Sequence, residues 1–504
     1  MPAKPKTPTR RVPSTPKPKS KPEPESQPDV QLDLQGNDNA VAVGPRSFAA
    51  NVKLIFQGNW KPFAAVLTGV GILLAVILYF VVPKQACNFD KEFTVAVAQL
   101  VVRNEAGETI SDPAGARLAE AIASDIDSLF KEMHLETVTT YEICTPKQIG
   151  LIQSEQEARE FAALHGVTIL VYGHVNKFNG EYFVSPHFYV NTTTFKDAQD
   201  ITGDHEIGKN VPGRLDADMV LAGSPGVQAR VDGLSMLTIG LVYYSVDEYD
   251  KALEYFQKAD QPKWVGSGKE TVHLLVGNVY IRAASETKEF EPLLSLAEEA
   301  YQSALEINKD YGRALVGMAN VDYLRAYTQN DCDPAGLEDA SRLLDEALAL
   351  TDQPASANLE TKVHFYRGQI AIIRDYCKIA GSDWRAAAEQ EFTWVSERYE
   401  TDPESDASKS IEYFASHAYA RLGYLAYLRN DANAAIAFTQ KAIPIAPAKD
   451  KADYLSLLGD YYVVVGQKDQ ASEAYQQALA IAIGNGDAAK AEKFQKKLDD
   501  VQGP

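Results

Sequence analysis

The chain has 504 residues, 45% hydrophobic and 23% charged, a balance that fits folded domains and excludes a wholly disordered or fibrous chain. Its net charge is −20, although residues 1–62 run the other way with ten Lys or Arg against five Asp or Glu. A body this acidic repels phosphate backbones over long range, so no nucleic-acid partner is expected.

Residues 1–62 read as a disordered Pro/Lys-rich tail. The opening stretch "MPAKPKTPTRRVPSTPKPKSKPEPESQP" has too little apolar surface to offset chain entropy. It reads as a solvated spacer, with a basic strap on anionic lipid as the alternative. Residues 63–82, "FAAVLTGVGILLAVILYFVV", carry no charge. As a helix they span roughly 30 Å, so a single transmembrane helix in a lipid bilayer is expected there. Trp60 and Tyr79 sit near its ends, and Lys61 and Lys84 flank it. The basic tail then predicts a cytoplasmic amino terminus and a periplasmic or extracellular body.

Residues 90–210 change pattern. "FTVAVAQLVV" reads as a buried strand, and Asp112-Pro113 starts a helix whose apolar face carries Leu118, Ile122, Ile126, Leu129 and Met133. "ETVTTYEI" is a further strand, and Ser154 with Glu157 caps a helix that Gly166 closes. "VTILVYGHV" and "EYFVSPHFYV" are strands joined at Asn179-Gly180. The order predicts a small α/β domain with a mixed sheet. His174 and His187 fall diagonally on one sheet face. No third ligand is fixed, so no metal is expected, and Pro186 raises the prospect of a bulge. In pattern, and in "YGHV", the segment resembles the amino-terminal domain of TolB and related bacterial envelope proteins. That resemblance implies a non-catalytic envelope domain.

From residue 232 the chain repeats itself. Gly240 and Gly459 align, as do Ala252 and Ala471, Phe256 and Tyr475, and Ala259 and Ala478. Further copies carry Gly277 with Tyr301, Gly317 with Ala340 and Ala347, Gly368 with Phe392, and Gly423 with Thr439 in place of the ring. Two helices approach closely only where side chains are small, and a large ring fills the space beside each contact. This pattern resembles the tetratricopeptide repeat and predicts an α-solenoid of helix-turn-helix units over residues 232–500, ending in a charged capping helix.

"WVGSGKET", Trp264–Thr271, looks like a phosphate-binding loop. Such a loop needs Gly five residues before its Gly-Lys pair and Ser or Thr straight after; here those places hold Lys263 and Glu270. It reads as a repeat connector, and no nucleotide is expected.

No nucleophile elbow, H-E-x-x-H or C-x-x-C occurs, so neither catalysis nor a cofactor is expected. The solenoid's concave face predicts a protein or peptide partner, with candidate contacts at Leu241, Tyr244, Asn278, Gln369, Tyr424, Tyr427 and Asp460. Cys332 and Cys377 follow the first helices of adjacent repeats and are a candidate disulfide. The expected function is a membrane-anchored scaffold for protein–protein interaction. The alternative is a receptor or sensor whose α/β domain binds a small ligand and whose repeats relay the signal.

Overall fold

The computed structural model describes residues 87–191, 201–213, 224–286, 290–328, 332–350, 357–403 and 406–503. The tail and the 63–82 segment lie outside them. The described residues belong to one unit that begins at Pro83.

The first part is a mixed seven-stranded sheet with helices on both faces. β1 (Phe93–Val97) pairs in parallel with β3 (Tyr141–Cys144) and with β4 (Ile169–Phe178). β4 pairs antiparallel with β5 (Glu181–Val190), and β5 with the edge strand β6 (Gly203–Glu206). β2 (Val101–Arg103) adds to β4 and β7 (Val211–Gly213) to β5. The single strand expected over "FTVAVAQLVV" is therefore two, β1 and β2, separated at Ala98–Leu100.

Local chemistry sets these elements. Helix α1 (Pro113–Glu132) starts on the Asp112 carboxylate, which accepts from the Ala114 amide at 2.9 Å. After the four-residue α2 (Pro146–Ile149), α3 (Glu155–His165) starts on Ser154 and stops at Gly166 in the left-handed conformation. Asn179 and Gly180 both have positive φ, as the tight β4–β5 turn requires. No bulge forms at Pro186. The ladder runs unbroken because Gly173, opposite, takes φ 142° and brings its backbone against Ser185 and Pro186, where a side chain would collide. A disulfide joins Cys87 to Cys144, Cα–Cα 5.5 Å.

The second part is a stack of six helix pairs in the described residues. They are α4 (Pro225–Ser245) with α5 (Tyr249–Ala259), α6 (Lys269–Glu286) with α7 (Phe290–Ile307), and α8 (Gly312–Thr328) with α9 (Pro334–Ala349). Next come α10 (Ala357–Tyr376) with α11 (Trp384–Glu400) and, after the short α12 (Asp406–Lys409), α13 (Glu412–Leu428) with α14 (Ala432–Ile445). α15 (Ala448–Val464) with α16 (Lys468–Gly484) is last, and α17 (Ala488–Gln502) closes the stack. The glycine–aromatic pairing is literal. A Cβ on Gly240 would lie 2.3 Å from the Phe256 ring, one on Gly459 2.4 Å from Tyr475, and one on Gly368 2.7 Å from Phe392. Tyr301 serves two glycines, Gly277 of its own pair and Gly317 of the next. That next pair has no ring of its own; buried Leu344 stands between Ala340 and Ala347. A second disulfide joins Cys332 to Cys377, Cα–Cα 5.5 Å.

The two parts share a core. One apolar cluster runs from β1 and α1 through α4 and on to Val279 of α6. In α4, 15 of 21 residues are buried, because one side meets the sheet domain and the other meets α5 and α6. The "WVGSGKET" loop fastens this seam. Trp264 lies flat against Gly233 of α4, and its Nε1 donates to the Ser267 carbonyl at 3.2 Å. Gly268 has φ 93° and packs so tightly on the Ile207 carbonyl that a side chain would collide at 2.2 Å. Lys269 is paired with Asp260, and the Glu270 carboxylate accepts from the Gly268 amide at 2.7 Å.

The expected localisation is corrected. Among the described residues no helix is long and apolar enough to cross a membrane. The most thoroughly buried of them, α4, is covered by protein on both sides and carries Arg230 and Asp232. The segment on which the single-pass placement rested lies outside the described residues.

Two outcomes test this fold. Gly459→Val forces a side chain into Tyr475 and should lower the unfolding free energy by about 1–3 kcal/mol in urea melts followed by circular dichroism. Gly484→Ala, where nothing lies within 4 Å, should not destabilise. Non-reducing peptide mapping should recover Cys87 linked to Cys144 and Cys332 linked to Cys377.

Candidate functional site

A cavity of about 210 Å³ opens between four first helices of the stack, α6, α8, α10 and α13. Its floor is aromatic, with Tyr323, Phe365 and Phe414, and Asn278, Asn320 and Gln369 add amides. Its charges have one sign. Arg282, Arg313 and Lys362 line it on three successive first helices, and no Asp or Glu is among its described lining residues. Arg421, on α13, stands close enough to Tyr323 to bear on its hydroxyl, which burial pushes up in pKa. In a chain of net charge −20 this is a local reversal.

The sequence-derived candidates divide. Asn278 and Gln369 line the cavity, and the Asn278 carbonyl oxygen accepts from the Tyr301 hydroxyl at 2.8 Å, which fixes its amide. Tyr244 is buried one helix earlier, where its hydroxyl accepts from Arg282 Nε at 3.2 Å; it positions a lining cation. Leu241 is fully buried in the shared core. Tyr424 and Tyr427 are exposed on α13, and Tyr427 packs on Tyr461. Asp460 is held by Lys497 at 2.6 Å and by the Tyr475 hydroxyl at 2.7 Å, so it ties α15 to α17. The sequence reading missed the cations. They are too far apart in the chain to form a motif, and only their regular placement on first helices signals them.

A second constellation sits on the sheet. His174 lies opposite Ser185 and His187 opposite Tyr172, so the two histidines are diagonal as expected, with ring centroids 6.5 Å apart. Burial, with Arg103 nearby, pulls His174 down to about 4. His187 Nδ1 instead meets Asp204 at 3.0 Å, and the Tyr172 hydroxyl donates to the same carboxylate at 2.6 Å. Burial opposes both charges in that pair, but the pairing wins: His187 is raised and Asp204 lowered. Among the described residues no group of three His, Cys, Asp or Glu side chains could hold a metal ion.

Residues 235–261 match the tetratricopeptide repeat family model. No curated protein matches the chain. Among solved structures, the type IV pilus biogenesis factor PilW is 14% identical over 52% of this chain and 97% of its own, with TM-score 0.35. PilF of Pseudomonas aeruginosa is 17% identical over 54% and 99%, with TM-score 0.34. A signal-transduction ATPase with a tetratricopeptide repeat sensor from Pyrococcus horikoshii is 17% identical over 57% and 38%, with TM-score 0.37. Scores this low carry no argument about role or arrangement. The expected likeness of residues 90–210 to the TolB domain finds no support in these comparisons. Residues 235–261 match a single tetratricopeptide repeat, and five further helix pairs follow them in the described residues.

Proposed function

We propose that this chain is a protein-interaction scaffold whose concave groove takes an extended acidic segment of a partner protein. One observation carries this reading: Arg282, Arg313 and Lys362 line the groove beside aromatic rings, with no lining carboxylate among the described residues. Cations on successive helices suit a chain running across them, and like-signed lining rejects basic segments. Tyr323, Phe365 and Phe414 supply apolar contact between the charges, as interface anchors do. Asn278 and Gln369 are placed to bond the segment's backbone. No catalytic step is assigned to the groove.

Fluorescence anisotropy with a labelled peptide of Asp, Glu and Tyr, against a matched Asn/Gln/Tyr peptide, tests this. The acidic peptide should bind more tightly, and its advantage should shrink as salt rises. Replacing two of the lining cations, Arg282→Gln with Lys362→Gln, should weaken it by roughly tenfold or more, about 1.4 kcal/mol. Equal binding of the two peptides, or an unaffected double variant, would sink the reading.

A further inference from the structure

A second candidate site lies at the seam between sheet and solenoid. There a cavity of about 570 Å³ lies between the edge strand β6, the start of α6, the α7–α8 turn and the end of α9. That volume falls within the range of small-molecule sites. We propose that this cavity binds a small aliphatic amine of the diamine or polyamine class. The proposal does not depend on the groove reading.

The walls supply the argument. Apolar surface comes from Ile307 and Leu350, enough to cover a short methylene chain. Opposite them is the His187–Asp204–Tyr172 array, hydrogen-bonded internally and held in place by the β4–β5–β6 ladder. Beside His187, directly across the β5–β6 pair, is Glu206. The Glu206 side chain has no hydrogen bond or ion pair among the described residues, whereas Glu155 pairs with Arg159 and Glu270 caps the Gly268 amide. The Tyr311 hydroxyl, 3.4 Å from Thr271 Oγ1, adds a polar group that can accept a hydrogen bond.

The charge is lopsided. Glu155, Asp204, Glu206, Glu270 and Asp310 line the cavity against Lys209, Arg313 and His187, the last already paired with Asp204. Arg313 is already engaged, donating to the His205 ring at 3.1 Å. Glu270 is raised in pKa by burial and further by Glu206, so a cation beside it would favour its charged form. The carboxylates are spread around the space, and no three described ligands converge as a metal ion needs. An organic cation with its charges separated along a chain fits that spacing better than a point charge.

Isothermal titration of the full chain with spermidine and with putrescine, at physiological salt, tests the proposal. One saturable site is expected. Glu206→Gln, which keeps the shape and removes the charge, should weaken it at least tenfold. Ile307→Trp, which narrows the cavity and leaves every charge in place, should weaken it at least tenfold. Asp469→Asn, an exposed carboxylate on α16, should change nothing. Circular dichroism of each variant separates lost binding from lost fold. Absence of saturable binding overturns the proposal. So does binding that survives both Glu206→Gln and Ile307→Trp, which would put the amine on the acidic outer surface.

Discussion

A buried arginine holds the molecule together at its seam. Arg230, on α4, donates from Nη1 to the Gly226 carbonyl at 2.9 Å and from Nη2 to the Val265 and Ser267 carbonyls at 3.0 and 3.1 Å. Its guanidinium lies 5.6 Å from the centre of the Trp264 ring. Burial lowers its pKa, and Glu270 nearby offsets part of that cost. Charged hydrogen bonds in a dry setting are among the stronger polar contacts a protein makes. The two bonds to Val265 and Ser267 fix the loop that carries Trp264, Ser267 and Gly268 to the helix it covers, and the one to Gly226 orients the arginine along that helix. Ser267 in turn accepts from the Lys209 amide at 2.9 Å, and Thr271 donates to the Glu206 carbonyl at 3.2 Å. The edge of the sheet is thereby covered by the start of the solenoid, which removes an open strand edge.

Arg313, at the start of α8, lines both the groove and the seam cavity. Its partner His205 stacks on Phe188 at 4.8 Å and donates from Nε2 to the Ile201 carbonyl at 2.8 Å, leaving Nδ1 to accept from the guanidinium. Burial and the Arg313 charge hold this imidazole neutral. A side chain that belongs to two cavities and is anchored by one strand gives a physical route by which the sheet constrains the groove.

Much of the fold was legible because it rests on local rules. The Asp112 cap, the Ser154–Glu157 cap, the Asn179-Gly180 turn and the glycine–aromatic pairs are each decided within one element or one helix pair. The sequence reads Trp264–Thr271 as a repeat connector, and the structure shows those residues fastening the seam. Other features were hidden because they depend on residues far apart in the chain. The cations of the groove stand on three helices across 80 positions, from Arg282 to Lys362. The Cys87–Cys144 link spans 57 residues and joins the segment before β1 to the end of β3. Candidate groove residues inferred by alignment met the same limit: Leu241 and Asp460 occupy first helices, but packing turns one into the core and the other toward α17.

By itself, then, the sequence determined the units: strands, capped helices, and repeats whose small and large residues must interlock. Their periodicity is enough for that, since a helix pair closes where a small residue on one helix meets a larger side chain on the other. Tertiary structure decided what lies between the units. It merged the sheet and the first repeat through α4, brought single cations from separate helices to one face, and left a polar cavity at their junction. Side chains distant in sequence become one chemical environment only when the backbone has already fixed their distances, and no local pattern encodes those distances.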